Sequence, residues 1–430
     1  MKARFVIIAL IGTFVSVLAT GCRNTQSHCH CAYQVPNPID LERQSSREPI
    51  VVNASAVTSY HDLNRSIPGA PPSLEYRRLT AVDCQCLAAE NSPLGVLLMM
   101  ENQFIGRQAQ QDRKSSKKAT NIHRRVLNLR AIDERNRASG EALKAFYQLV
   151  EAEGQRDLLD RSIGELNNSI DNVKKIKDSG LELEVEQGDF ERQRIDLVAK
   201  QVTADKTIQQ LNGKLRFLLH LDAIDTTPIW PDVDLTPNTF AIDMEAAILE
   251  GLTTRPDLAA LRLTRDTLDE ETLPLARKSL RQIDMMFGID SELPISLRKL
   301  FGRDDTAEEV NARRQQLSQV IYDRERAAVE EIRAAVFEVD ASVRAIALSV
   351  QKINSLRSRR KDLQKMRGAD LVTPFEISAV SLEILQAESM LLENVIKWKI
   401  ALVKLRQTQG ILPLECGFGM PGQCCVASHN

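Results

Sequence analysis

The sequence predicts a mainly α protein built on two long antiparallel coiled-coil hairpins, with few or no β-strands. Only 4% of the 430 residues are aromatic against 27% charged, a balance that disfavours a β-rich core. Glycine and proline are nearly absent from long stretches after about Val126. In those stretches the apolar residues alternate spacings of three and four, the period of a helix–helix seam.

The first seam runs through Ile163, Leu166, Ile170 and Val173. It stops at Lys177-Asp178-Ser179-Gly180-Leu181, where lysine in the last turn and the glycine after it mark a helix end. A second helix follows at once with the stripe Ala204, Ile208, Leu211, Leu215 and Leu218, so the chain doubles back about a tip near Gly180. The pattern then recurs. Val329, Ile332, Val336, Val339, Val343, Ile346, Val350 and Ile353 keep the spacing up to Gly368, and Val380, Ile384, Ala387, Leu391, Trp398, Leu402 and Leu405 return towards Gly410. Tips about 190 residues apart indicate a duplicated hairpin. Helices of roughly 40 to 60 residues would be about 60 to 90 Å long. Two helices bury one narrow seam, so Leu158, Ile176, Leu356 and Val395 need further helices beside them, and self-association is expected.

The N-terminus carries export chemistry. Lys2 and Arg4 precede an apolar run of 14 residues, Phe5 to Leu18, shorter than the roughly 20 a spanning helix needs. Ala19-Thr20-Gly21-Cys22 resembles a lipoprotein box, which makes Cys22 the candidate lipidation site and new N-terminus; Ala19-x-Gly21 also suits ordinary signal cleavage. The chain thus divides into a signal peptide (1–21), a Pro-, Ser- and Asn-rich tether (22–78) and the first repeat (79–222), which includes the polar stretch Arg107 to Arg125. A connector (223–300), the second repeat (301–412) and a cysteine-containing tail (413–430) follow.

Eight cysteines, read as lying outside the helical body, are Cys22, Cys29, Cys31, Cys84, Cys86, Cys416, Cys424 and Cys425. An exported chain can oxidise them, with the pairing open; His28-Cys29-His30-Cys31 as a soft-metal site is the other reading, although its Cys-x-Cys spacing is not that of zinc sites. A net charge of -2 leaves no overall basic field for nucleic acid. No His-Glu-x-x-His, Gly-x-Ser-x-Gly or phosphate-cradling glycine loop occurs, so no catalytic, cofactor or metal residues are assigned and a non-enzyme is expected. Glu182, Glu184 and Glu186 read as a solvated helix start or a cation site. Arg357, Arg359, Arg360 and Lys361 read as a solvated face or a partner contact.

Within the connector, Arg255-Pro256-Asp257-Leu258 places proline in a first helical turn and an acid at its positive end. Ala246 to Leu261 resembles the signature of the TolC family of outer-membrane efflux proteins. The tips, glycine followed by an acid, Gly180 to Glu186 and Gly368 to Glu376, look like that family's periplasmic tips, and Glu388 to Gly410 is similar to its last helix. The resemblance implies a homotrimer whose hairpins form a periplasmic tunnel, docked to an inner-membrane pump through an adaptor. It implies passive export of small molecules, with Gly180, Leu181, Glu182, Gly368 and Asp370 at the partner and gate end. Asp370 would ring the entrance or merely cap the following turn. The family's two membrane-crossing β-hairpins find no counterpart in the sequence: Arg130 to Leu149 reads as helix, and Ile283 to Phe301 carries Pro294 and several charges. A barrel-less periplasmic lipoprotein, anchored to the outer membrane at Cys22 and serving as scaffold or binding module, is the alternative.

Overall fold

In the computed structural model, the described residues are 50–52, 76–111, 116–178, 186–235, 240–287, 306–368 and 372–419. The chain divides into compact units 1–34 and 35–430, and all described residues belong to the second. Cys22, Cys29, Cys31, Gly180, Leu181, Glu182, Asp370, Cys424 and Cys425 lie outside them.

Local chemistry sets the helix starts. Strand β2 (Arg77–Thr80) runs into helix α1 (Ala81–Glu90) through a capping box, in which the Thr80 side chain accepts from Asp83 N–H and Asp83 accepts from Thr80 N–H. Helix α2 (Pro93–Gln111) precedes α3 (Lys117–Asp178), whose 62 residues extend about 93 Å. Helix α4 (Gln187–Leu218) completes the first hairpin. Strands β3 (Ile229–Asp232) and β4 (Phe240–Ile242) lead to the short helices α5 (Met244–Thr254), α6 (Pro256–Asp266) and α7 (Leu273–Phe287). The second hairpin is α8 (Thr306–Arg367), again 62 residues, and α9 (Pro374–Gln409), closed by α10 (Leu412–Glu415). In α8, Glu308 and Glu309 in the first turn and Lys365 and Arg367 in the last complement the helix dipole.

The long helices form one layer in the order α4, α3, α9, α8. The predicted stripes line its core: Leu166, Ile170 and Val173 are buried, as are Ile332, Val336, Val339, Ile346, Val350 and Ile353, and Ile384, Ala387, Leu391 and Trp398. Leu158 and Val395, expected to await neighbouring copies, are buried in this same core, because the second hairpin of the same chain covers the first. Position 154 shows how closely α3 and α9 approach: a Cβ there would lie 2.5 Å from Leu392 Cδ2, so only glycine fits without repacking. Polar contacts cross the same boundary, including Ser169 Oγ to Ser378 Oγ at 2.7 Å. Glu388 on α9 pairs with Arg161 of α3 at 3.3 Å and Arg357 of α8 at 3.0 Å. The edge helix α4 is different. Only Asn212 and Leu215 of its 32 residues are buried.

Two small sheets fasten the N-terminal part. β2 pairs in parallel with β3, with Arg77 opposite Ile229, and strand β1 (Ile50–Val52) pairs antiparallel with β4, with Ile50 opposite Ile242. The stretch read as a tether therefore meets the connector twice. Cys84 and Cys86 do not lie outside the helical body: both are in α1, where positions two apart point in different directions. Cys86 forms a disulfide with Cys416 across 330 residues, while the Cys84 thiol faces the core, its pKa pushed by burial to about 12.

Val339 is 0% exposed whereas Val343 is half-buried. Val339→Asp should bury an unpaired carboxylate and cost several kcal/mol, on the order of 3. Val343→Asp should cost less, and an equal fall in the circular dichroism midpoint for both would contradict this packing. Cys86→Ser should lower stability by roughly 2–5 kcal/mol, read from the urea midpoint under non-reducing conditions.

Candidate functional site

The family-like segment sits where the connector meets the end of the second hairpin. Helix α5 ends at Thr254, Arg255 adopts an extended backbone, and Pro256 opens α6 with its fixed φ, losing no hydrogen bond because a first-turn N–H has no helical partner. Leu258 is fully buried. Arg255, 7% exposed, reaches three elements. Its Nε and Nη2 donate to Asp257 Oδ1 and Oδ2 at 3.1 and 3.0 Å, and its Nη1 donates to Glu331 Oε2 of α8 at 2.6 Å and to the Thr408 carbonyl of α9 at 3.2 Å.

Arg324 of α8 completes the network, donating to Asp257 Oδ2 at 2.8 Å and to Glu331 Oε1 at 3.2 Å. Burial alone would raise the Asp257 pKa, but the bonds and charge of Arg255, with Arg324, hold it at about 2. Asp133 of α3 responds oppositely: burial, then the neighbouring Asp257 charge, raise its pKa.

The end of α9 is shaped to fit this junction. Gly410 ends the helix at φ +78, and its N–H and that of Ile411 bond back to the carbonyls of Gln407 and Arg406. A Cβ at 410 would lie 3.0 Å from Pro256 Cδ and 3.1 Å from Arg255 Cα, so glycine is required for conformation and for space. Thr254 Oγ1 donates to the Gln409 carbonyl at 2.6 Å, and Gln409 Nε2 donates to the Ala247 carbonyl at 3.2 Å. Arg255, Pro256, Asp257 and Leu258 thus form a packing and charge junction. Its partners Arg324 and Glu331 were not singled out from sequence, although their spacing of seven places them on one helix face.

The tips lie at the other end of α3. Gly368 is exposed and follows α8 in a tight turn, its N–H bonding to the Lys365 carbonyl at 3.1 Å. Its φ is not positive, so α8 ends there without a left-handed residue, whereas α9 ends on one at Gly410. Just after the tips, Phe190 of α4 stacks on Phe375 of α9 with ring centres 5.8 Å apart. With the Ser169–Ser378 contact, this brings the two hairpin ends side by side, a pairing that sequence spacing gave no sign of. Among the described residues, no group of three or more His, Cys, Asp or Glu is arranged to hold a metal ion, and no helix is long and apolar enough to cross a membrane.

A carboxyl group held at about 2, against an ordinary 3.8, contributes its full stabilisation above pH 3.8 and loses it as pH falls through 2. The difference corresponds to roughly 2 kcal/mol for Asp257. Asp257→Asn should therefore lower stability at pH 7 and flatten the loss between about pH 4 and 2. Thermal melts across that range check it, and parallel wild-type and variant curves would contradict the junction's electrostatics.

No protein-family model matches the chain, and no curated protein matches it in sequence. Solved structures do. The chain is similar to the CmeC outer membrane channel of Campylobacter jejuni, with TM-score 0.55, 11% identity and coverage of 93% of this chain and 96% of that one. A membrane protein from Pseudomonas aeruginosa gives TM-score 0.56 at 13% identity, covering 82% of this chain and 94% of that one. The outer-membrane channel OprN gives 0.52 at 12%, covering 68% and 70%. Likeness at such low identity speaks to architecture alone, and the chain has the duplicated-hairpin fold of the TolC-type outer-membrane channels.

Proposed function

We propose that the chain is the protomer of a TolC-like export duct, in which three copies close a helical tunnel in the periplasm and small molecules pass through without chemistry on the wall. The open edges of the layer carry this reading. At one edge α4 exposes Ile195, Val198 and Val202, spaced three and four apart along the helix. Asn91 Nδ2 donates to the Leu219 carbonyl at 3.1 Å, so α2 begins where α4 ends, and its exposed Leu94, Leu97, Met100 and Phe104 carry apolar surface further along α3. At the other edge α8 exposes Tyr322, Phe337 and Leu348. Two unlike apolar edges join copies head to tail, and such contacts close into a ring when the rotation allows.

In this duct the paired tips, Gly180, Leu181, Glu182, Gly368 and Asp370, form the end that meets an adaptor and, through it, an inner-membrane pump. Exposed charge at such an end steers docking more than it adds affinity. Cys22 carries lipid and holds the assembly at the outer membrane.

One observation favours the second reading, a barrel-less periplasmic lipoprotein acting as scaffold. Helix α2 ends at Gln111 and α3 begins at Lys117, leaving five residues between them. Two membrane-crossing strands need about ten residues each, so the first repeat has no room for a barrel hairpin there.

Purified protein should elute as a trimer, and in a planar bilayer it should conduct if the first reading is right. Trimers without conductance would select the scaffold. Replacing Asp370 and Glu182 with alanine should leave helicity and melting unchanged while weakening adaptor crosslinking or altering drug susceptibility. Wild-type levels of both in cells lacking a paralogue would overturn the duct. A fatty-acid probe should label the wild type and not Cys22→Ala.

A further inference from the structure

The end of the layer opposite the tips has a charge pattern that the duct's assembly does not use. Between Arg107 and Arg125 the sequence holds seven basic residues and one acidic residue, Asp112. This stretch spans the α2–α3 turn. Two of its cations are engaged: Lys118 pairs with Asp269 of the α6–α7 turn, and Arg124 Nε donates to Asn102 Oδ1 at 2.8 Å. Ser116 Oγ donates to Glu271 Oε2 at 2.6 Å, so the acids of that turn are drawn to the first residues of α3. Arg107, Lys117 and Arg125 are exposed, and among the described residues none of them forms an ion pair.

The placement of Lys117 runs against helix electrostatics, while Arg107, near the end of α2, and Arg125, in the third turn of α3, add exposed charge beside it. Lys117 and Lys118 occupy the first turn of α3, which contains no acid, and the positive end of the helix dipole disfavours cations there. Cations kept at a positive helix end concentrate positive potential, which suits an anionic surface outside the molecule. Proximal anionic headgroups attract such clusters additively, each cation within a Debye length of the surface contributing. The turn is too short to enter a membrane as strands, so contact with headgroups is the membrane interaction its chemistry allows.

We propose that Arg107, Lys117 and Arg125 form a docking surface for anionic phospholipid headgroups, seating the helical layer against the membrane end-on. The orientation rests on the duct reading, in which the tips point away from the outer membrane; the lipid contact itself does not depend on copies closing a ring.

The test uses the full chain carrying Cys22→Ala, which removes the lipid attachment site, and vesicles of phosphatidylcholine alone or mixed equally with phosphatidylglycerol. The protein should co-sediment with the mixed vesicles and be released by salt, while phosphatidylcholine vesicles retain little. Joint replacement of Arg107, Lys117 and Arg125 by glutamine should weaken partition about 100-fold. Glutamine at Lys144, Lys397 and Lys404 on the shaft should leave it unchanged. Equal binding to both vesicles, or equal loss in the two triple variants, overturns the proposal. Light scattering on the same samples separates the two readings: trimers that fail to bind vesicles remove only the lipid surface, and monomers that bind them remove only the duct.

Discussion

Contact between α3 and α9 joins the two hairpins into one layer, and the other elements attach to the pair it makes. A long helix in water is marginal unless an apolar face is covered, and most helical stability in proteins comes from such packing. With 62 residues, α3 meets α4 on one side and α9 on the other, so its burial is spread along most of its length. The approach is close enough that a side chain at position 154 would force Leu392 to repack. Buried polar bridges, Glu388 with its two arginines above all, allow few alternatives of register, since a slip would leave a carboxylate desolvated and unpaired.

At the junction of connector and hairpin, a different balance holds. Arg255 and Asp257 are largely out of water, and desolvation opposes both charges. The network overcomes that because each charge meets two of opposite sign, with bidentate geometry at Asp257 and further bonds to a helix-end carbonyl. A carbonyl at a helix C-terminus has no partner within its own helix, so Arg255 satisfies an acceptor that burial would otherwise leave open. Gly410 makes room for this arrangement, and the disulfide from Cys86 to Cys416 holds the following turn against α1.

The two ends of the layer are chemically unlike. Near the tips, stacked phenylalanines and a serine pair align the hairpins while charges face outward. Near the α2–α3 turn, exposed cations gather, with Lys117 at the positive end of a long helix. Between them, apolar residues lie exposed on both edges.

Much of the helical architecture was legible in the chain because heptad spacing is a local property: Ile332, Val336 and Val339 share a face whichever partner covers them. The junction was half legible. Arg-Pro-Asp-Leu announced a helix boundary through the backbone preferences of proline, but nothing local identified Arg324, Glu331 or the Thr408 carbonyl as partners, since they lie 67, 76 and 153 residues away. The same limit hid the pairing of Cys86 with Cys416 and the covering of Leu158 and Val395 by the chain's own second hairpin. Both Gly368 and Gly410 mark helix ends, yet only Gly410 takes a positive φ, because a glycine permits that conformation while only its surroundings require it. Local spacing suffices to mark the long helices and the face each one buries, whereas what meets that face is settled by the folded chain, because burial is satisfied by any suitable surface and only folding brings distant ones together.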